Sequence, residues 1–478
     1  MNNVDKDIQT PIPRWHLRSD ISDKTVAESW DTVFREWAER AEQENNIEDF
    51  CVAPWTHTYL SPQGERRLCC ASREPAQNFR QYIDTGDGEG KFVALPLSKW
   101  WNDDQIREVR RSWLRGIVPD ACEVCDKKLL NTSVYSDYFT HLFGNMKQEI
   151  KDNTDPHGYT TLEPISFDYR YSNICNFTCR MCGDMLSSRW EIEVQKNDMV
   201  DWTNPKNNWM KPANRHAIRH FVRDTVIPEF ESAIESGRIR EIYWVGGEPL
   251  LYDEHWRFMR RIVELGLAEN VRVRYNTNLS YIGDKQGTLW ELLEHFPHWE
   301  VCASLDGTGA IGEYVRTGLD FASWVSNFAG GVRSQRVPRQ MRIDFTLTLP
   351  GMVDIDNVLA LADSHSVDLL SKVVFAFTPD ILLSPLALPR EVLHPWIDDI
   401  LATAKFTHRT RSLKSVLEHL KTRPTFAEEH PNSYKDAAVR GKRHLLKLES
   451  IRPGAKTNME QILAARPAAL EWWKSIDD

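Results

Sequence analysis

The chain reads as an α/β protein, with a parallel sheet in its middle third, a small cysteine-rich α+β module before it and a helical region after it. Two patterns carry that reading. Strand-like runs at about 165–172, 240–246, 271–277, 299–305, 340–348 and 371–378 alternate with helical ones, and such alternation builds parallel α/β architecture. Within the runs the period is two: Ile343, Phe345 and Leu347 share one face, and Arg342, Asp344, Thr346 and Thr348 the other. Phe167, Tyr169 and Tyr171 likewise oppose Asp168, Arg170 and Ser172, while Arg272, Arg274, Asn276 and Asn278, then Cys302, Ser304 and Asp306, line single faces of the next strands. A closed eight-stranded barrel is filled by branched apolar side chains, so this polar face fits a wider, incompletely closed sheet whose polar groups meet a ligand.

Residues 1–49 form a polar arm and an amphipathic helix, with Val26, Trp30, Val33, Phe34, Trp37 and Ala41 at helical spacing behind Ser22 and Asp23. In residues 50–130, Cys51 leads through a strand to a turn at Ser61–Gly64 and a return strand ending in Cys69 and Cys70, the pattern of a β-hairpin. A helix at about 103–116, carrying Ile106, Val109 and Trp113, precedes Cys122–Glu123–Val124–Cys125. Hairpin, helix and knuckle bring Cys51, Cys69, Cys122 and Cys125 within reach of one metal site, with Cys70 as a buried small hydrophobe. Zinc is an open alternative for those four thiols. Residues 160–382 hold the sheet. Over 383–478 the pattern is helical, with Leu401, Phe406, Leu413, Val416, Leu420, Leu445, Leu446, Ile462 and Leu463 as core positions and Trp472 and Trp473 docking the last helix. This region is expected to cover the sheet or serve as a substrate platform.

A chain of 478 residues, 41% hydrophobic, exceeds one ordinary core. The start lacks the pattern of a secretory leader and no apolar run reaches membrane-spanning length, so a cytoplasmic protein is expected. A net charge of −10 argues against general nucleic-acid binding. Nine cysteines, an odd count, suit metal ligation better than a disulfide framework.

The densest chemistry lies at Cys175, Cys179 and Cys182, spaced C-x3-C-x2-C. Thiolates at that spacing can hold three irons of a four-iron, four-sulfur cluster, and Gly183–Trp190 offers no fourth Cys or His to close a zinc site. The last iron is left open to a ligand. Gly246–Gly247–Glu248–Pro249 closes the second strand; its glycines allow close backbone approach and its carboxylate can secure an ammonium group. Tyr275–Asn278 ends the third strand and Ser304–Asp306 the fourth, and Arg316, expected on the following helix, suits bidentate contact with a carboxylate.

Together these motifs resemble the radical S-adenosylmethionine (SAM) superfamily over roughly residues 50–380, most strongly at 165–182 and 244–249. The resemblance implies a partial (β/α)6 TIM-like barrel and a SAM-binding 4Fe–4S cluster on Cys175, Cys179 and Cys182. It places S-adenosyl-L-methionine against Met181, Gly246, Gly247, Glu248, Pro249, Asn276, Asn278, Ser304, Asp306 and Arg316. The implied reaction is reductive cleavage of SAM to a 5′-deoxyadenosyl radical that takes hydrogen from a substrate, with an electron donor such as flavodoxin or ferredoxin. Asp168, Arg170, Asp344 and Cys302 are candidates for orienting substrate or moving protons and hydrogen. Cys51, Gly64 and Cys69 also fit the C-x9-15-G-x4-C pattern of the twitch, or half-SPASM, module, which implies a second, auxiliary 4Fe–4S cluster. The expected substrate is a peptide or protein. A nucleotide, sugar or other metabolite is the alternative, and a non-catalytic zinc or iron–sulfur binding protein is the alternative of another class.

Overall fold

The computed structural model describes residues 50–70, 72, 82–83, 90–122, 134–374, 381–452 and 454–476. The expected helix over 26–41, Cys125 and residues 375–378 lie outside them. Eight strands form the main sheet: β1 (His57–Leu60), β2 (Arg66–Arg67), β3 (Ser166–Tyr169), β4 (Glu241–Trp244), β5 (Arg272–Thr277), β6 (Trp299–Leu305), β7 (Met341–Leu347) and β8 (Asp368–Val373). Their spatial order is β8-β7-β6-β5-β4-β3-β1-β2, every neighbouring pair parallel except β1 and β2. The sheet is open, with β8 and β2 as its edges.

The N-terminal hairpin forms as its turn residues dictate, Tyr59 opposing Arg67 around Gly64, whose φ of 77° lies in the left-handed region. Its first strand then joins the main sheet, His57 to Leu60 running parallel to Ser166 to Tyr169. The six strands read from sequence therefore become eight. Arg66 staples this edge: fully buried, it donates to the Leu95 carbonyl at 2.6 Å and the Tyr169 hydroxyl at 2.9 Å, and pairs with Glu229.

The last strand starts at Asp368 rather than 371. Its start is set by register with β7, where Arg342 opposes Asp368 and Asp344 opposes Leu370. The outer edge of β8 is met by the C-terminal region, Leu369 donating its N–H to the Arg409 carbonyl at 2.9 Å, which blunts an otherwise open edge.

Two cores result. The larger joins the apolar face of the sheet, with Phe167, Val273, Val301, Ile343 and Leu369, to the C-terminal helices through Leu393, Leu413, Leu463 and Trp473. Leu446, expected in it, is 40% exposed. On the helix Tyr434–Ile451 the inward positions are Leu445 and Leu448, and the next residue after Leu445 is turned away by about 100°. The smaller core collects Phe50, Trp55, Trp100, Ile106, Trp113 and Phe139 around the helix Asp104–Leu114, whose first turn is capped by the Asp103 side chain accepting from the Gln105 N–H. Among the described residues no helix is long and apolar enough to cross a membrane.

Candidate active site

Parallel strands present all their C-terminal ends on one side, where loops of α/β proteins build sites. The loop after β3 carries Cys175, Cys179 and Cys182, and the turn after β4 carries Gly246–Pro249. These two segments are joined: the Glu248 N–H donates to the Ile174 carbonyl at 2.7 Å, and the Tyr252 hydroxyl donates to the Ser172 carbonyl at 2.7 Å while accepting from the Gly247 N–H at 3.1 Å. A Cβ on Gly247 would stand 2.1 Å from the Ile174 oxygen, so only glycine permits the approach. Glu248 is buried and accepts from Thr277 Oγ1 at 2.7 Å, the Asn278 N–H at 2.7 Å and the Leu250 N–H at 3.1 Å. About four lone-pair sites on a carboxylate leave one for a ligand ammonium. Burial lifts the Glu248 carboxyl to about 7.

The cysteine loop is held from both sides. Ser187 caps the helix Ser188–Lys196 and donates to the Phe177 carbonyl at 2.6 Å; Trp190 on that helix donates its indole N–H to the Cys179 carbonyl at 2.7 Å. Asn278 Nδ2 stands 4.0 Å from Cys175 Sγ and Arg316 Nη1 stands 4.0 Å from Cys179 Sγ. The Cys182 thiol donates to Cys179, which, with Arg316 nearby, holds Cys179 below the usual thiol range, while burial pushes Cys175 up to about 12.

Arg316 is not on the helix that the sequence suggested. The helix Gly309–Val315 ends before it, and Arg316, at φ −106° and ψ 69°, turns out to pair its backbone antiparallel with Cys179. Its guanidinium ion-pairs with Asp306 at 2.5 Å, and Asp306 also accepts from the Thr346 N–H at 3.1 Å. Burial raises the Asp306 carboxyl, which Arg316 opposes. Ser304 is half-buried on β6, Pro249 opens a buried turn, and Met181, half-buried, packs against the larger core.

Among the described residues no group of three or more His, Cys, Asp or Glu is placed to hold a metal ion. A single ion needs its ligands around one point, whereas a four-iron cluster takes its thiolates on separate irons and spreads them around a body. Three thiols on one loop, two N–H donors facing their sulfurs and the glycine turn beside them fit such a group.

Farther down the polar face the charges meet one another. His57 Nδ1 lies 2.6 Å from Ser166 Oγ, which donates to Glu241 at 2.5 Å; Tyr138 also donates to Glu241. Arg274 lies 3.7 Å from both Glu241 and Glu300, Arg342 lies 3.3 Å from Glu300, and Arg339 lies 3.6 Å from Asp368. Cys302 is buried with its thiol 3.6 Å from Glu300, inside this belt. Between belt and motifs, Asp168 holds Arg170 in a two-bond pair at 2.9 and 3.0 Å. Beside it Tyr243 donates to Asn276 at 2.8 Å, and Asn276 and Lys372 both donate to Asp344, at 2.6 and 2.7 Å. Tyr243, Lys372, Tyr252, Ser187 and Trp190 are functional positions that the sequence reading leaves unmarked; for Lys372 the signal is its period-two parity with Asp368, which a strand beginning at 371 omits.

Of the earlier cysteines, Cys51 lies in the smaller core and Cys69 and Cys122 pack against it. Cys70 diverges, lying within electrostatic reach of Tyr59, Arg170 and Tyr243 near the polar face, so it is not the buried filler expected.

Residues 169–298 match the family model described as the radical SAM superfamily, a stretch holding the cysteine loop, Gly246–Pro249, Asn276 and Asn278. The match supports that superfamily for this segment. No curated protein matches the chain. Among solved structures it is similar to Streptococcus suis SuiB bound to S-adenosylmethionine, at 14% identity over 57% of this chain and 55% of that one, TM-score 0.33. SuiB bound to the precursor peptide SuiA gives 13% identity over 65% and 61%, TM-score 0.33, and TYW1 with a lysine-pyruvate adduct gives 13% over 48% and 70%, TM-score 0.27. The chain thus spans about half the length, 55%, of the first SuiB chain.

Proposed function

We propose that the protein is a radical SAM enzyme acting on a peptide or protein. The observation that carries this reading is the junction of the three-thiol loop with the Gly246–Pro249 turn through Ile174 and Glu248, inside the segment that matches the superfamily model. Cys175, Cys179 and Cys182 would hold the cluster. Glu248 would take the SAM ammonium with its remaining lone pair, Arg316 would face the carboxylate while Asp306 fixes its direction, and Met181, Gly246, Gly247, Pro249, Asn276, Asn278 and Ser304 would border the rest. When bound, the cluster and SAM supply one-electron cleavage of a sulfonium bond and hydrogen abstraction.

The chain's own work is orientation. Gly247 lets the turn reach the loop, Arg316 favours the Cys179 thiolate, and Trp190 and Ser187 pin the loop backbone. Asp168, Arg170, Asp344 and Lys372 would position substrate on the polar face next to the motif end, whereas Cys302 serves the belt. Cys51, Cys69, Cys122 and Cys125 would hold an auxiliary cluster of twitch type, supported by three of them meeting one core. A flavodoxin or ferredoxin would supply the electron, in a cytoplasmic setting.

Anaerobic reconstitution, iron and sulfide counting and assay of 5′-deoxyadenosine from SAM test the reading. Two clusters per chain and SAM cleavage are expected. A chain that takes up no iron and leaves SAM intact overturns it, and zinc on the earlier cysteines overturns the auxiliary cluster.

A further inference from the structure

We infer that Arg452 and Glu193, which belong to no expected motif, form a charge pair that sets the electrostatics of the cysteine loop and makes the C-terminal helices part of its housing. The inference rests on the cluster reading above. Arg452 is the first residue after the helix Tyr434–Ile451 and is 6% exposed. Its Nε lies 3.1 Å from both Glu193 oxygens and its Nη2 2.5 Å from one, while Nη1 donates to Thr317 Oγ1 at 3.4 Å. The guanidinium also lies over the Trp190 ring, 4.5 Å from its centre.

Two of these partners, Trp190 and Thr317, touch the loop. Trp190 donates to the Cys179 carbonyl at 2.7 Å, and Thr317 pairs with Thr178 beside Arg316 and Cys179. Glu449, just before Arg452, accepts from the Tyr314 hydroxyl at 2.6 Å, and the Tyr314 carbonyl accepts from Arg180 Nε at 2.9 Å. Through Tyr314, Thr317 and Trp190, residues 449 and 452 thus brace the loop on both sides of Cys179. An exposed ion pair would matter little, but this one is bidentate and joins a buried arginine to a half-buried glutamate.

Reducing a cluster adds negative charge, so a nearby cation favours the reduced form and a nearby anion opposes it. Arg452 and Glu193 offset one another; removing either exposes the other. Opposite shifts follow. R452M lowers the cluster midpoint potential, E193Q raises it, and the R452M/E193Q double variant returns close to wild type, a cycle that general loosening would not produce. Each single shift is expected to change the reduced-to-oxidised ratio at fixed potential about tenfold, which is about 59 mV for one electron.

The measurement is a redox titration followed by EPR on the full, anaerobically reconstituted chain, after iron and sulfide counting. R452K, which keeps the charge and loses the fork, should stay near the wild-type potential. Loss of iron from R452M with a wild-type melting curve supports the housing role, and E193Q then carries the sign test. Shifts of the same sign in both singles, or none, with iron retained, overturn the inference alone. A wild-type chain without iron overturns the cluster reading and this pair's role with it.

Discussion

The two ends of one sheet use similar residues in opposite ways. At the N-terminal ends, His57, Ser166, Glu241, Arg274, Glu300, Arg342 and Asp368 cross β1 and β3 to β8 as a belt in which each charge has another beside it. At the C-terminal ends, Glu248 keeps a lone pair in reserve and Arg316 stands beside a thiol. Polar residues on an inward face are therefore not all addressed to a ligand. Buried charges are tolerated where they satisfy one another, and at the motif end, where Arg316 is itself paired with Asp306, what is left for chemistry is the spare Glu248 lone pair and the approach of Arg316 to the thiol.

The largest contrast comes from Cys179→Ala, which should abolish formation of 5′-deoxyadenosine while costing less than about 1 kcal/mol of stability. Chromatography of the nucleoside and a melting curve measure both, and retained cleavage would remove Cys179 from the site. Next, Glu300→Gln takes a shared partner from Arg274 and Arg342 and should cost about 3 kcal/mol in urea unfolding, with SAM affinity kept. An unchanged unfolding midpoint would mean the belt does not hold the sheet.

Gly247→Ala tests the other end. With a Cβ 2.1 Å from the Ile174 oxygen, the turn must withdraw from the loop, and SAM affinity measured by calorimetry should fall about tenfold, roughly 1.4 kcal/mol.

Acid acts on the belt through His57, whose burial, aided by Arg274 and Arg170, lowers its pKa from 6.5 to about 3. The unfolded chain binds that proton first, so stability is full above pH 6.5 and declines as the pH falls toward 3. His57→Gln should reduce the slope of unfolding free energy against pH in that window by up to about 1.4 kcal/mol per unit. An unaltered slope would show that His57 titrates freely. The smallest effect belongs to Cys302→Ala, which should leave iron content and SAM cleavage at wild-type levels; loss of either would move Cys302 from the belt to the site.

Local patterns made much of this legible. Period-two alternation placed Ile343, Phe345 and Leu347 on the apolar face, and Gly64 marked the hairpin turn. The thiol spacing and Gly246–Pro249 identified the motif end, because both are contiguous in the chain and their chemistry depends on residue type at short range. What stayed hidden joins distant residues. The belt reads in sequence only as scattered charges, and Arg316 looked helical because its backbone pairing with Cys179 spans 137 positions.

From the order of amino acids alone came the α/β class, the three-thiol loop, the glycine turn and the polar parity of the strands. Only the folded chain decided that the hairpin extends the sheet, that most polar groups at its lower end neutralise one another, and that Arg452 reaches from the C-terminal helices to Trp190 and Thr317, which hold the loop. Alternation and spacing record what each residue prefers locally; which charge meets which depends on strand register and helix packing, and these are settled by burying one common core.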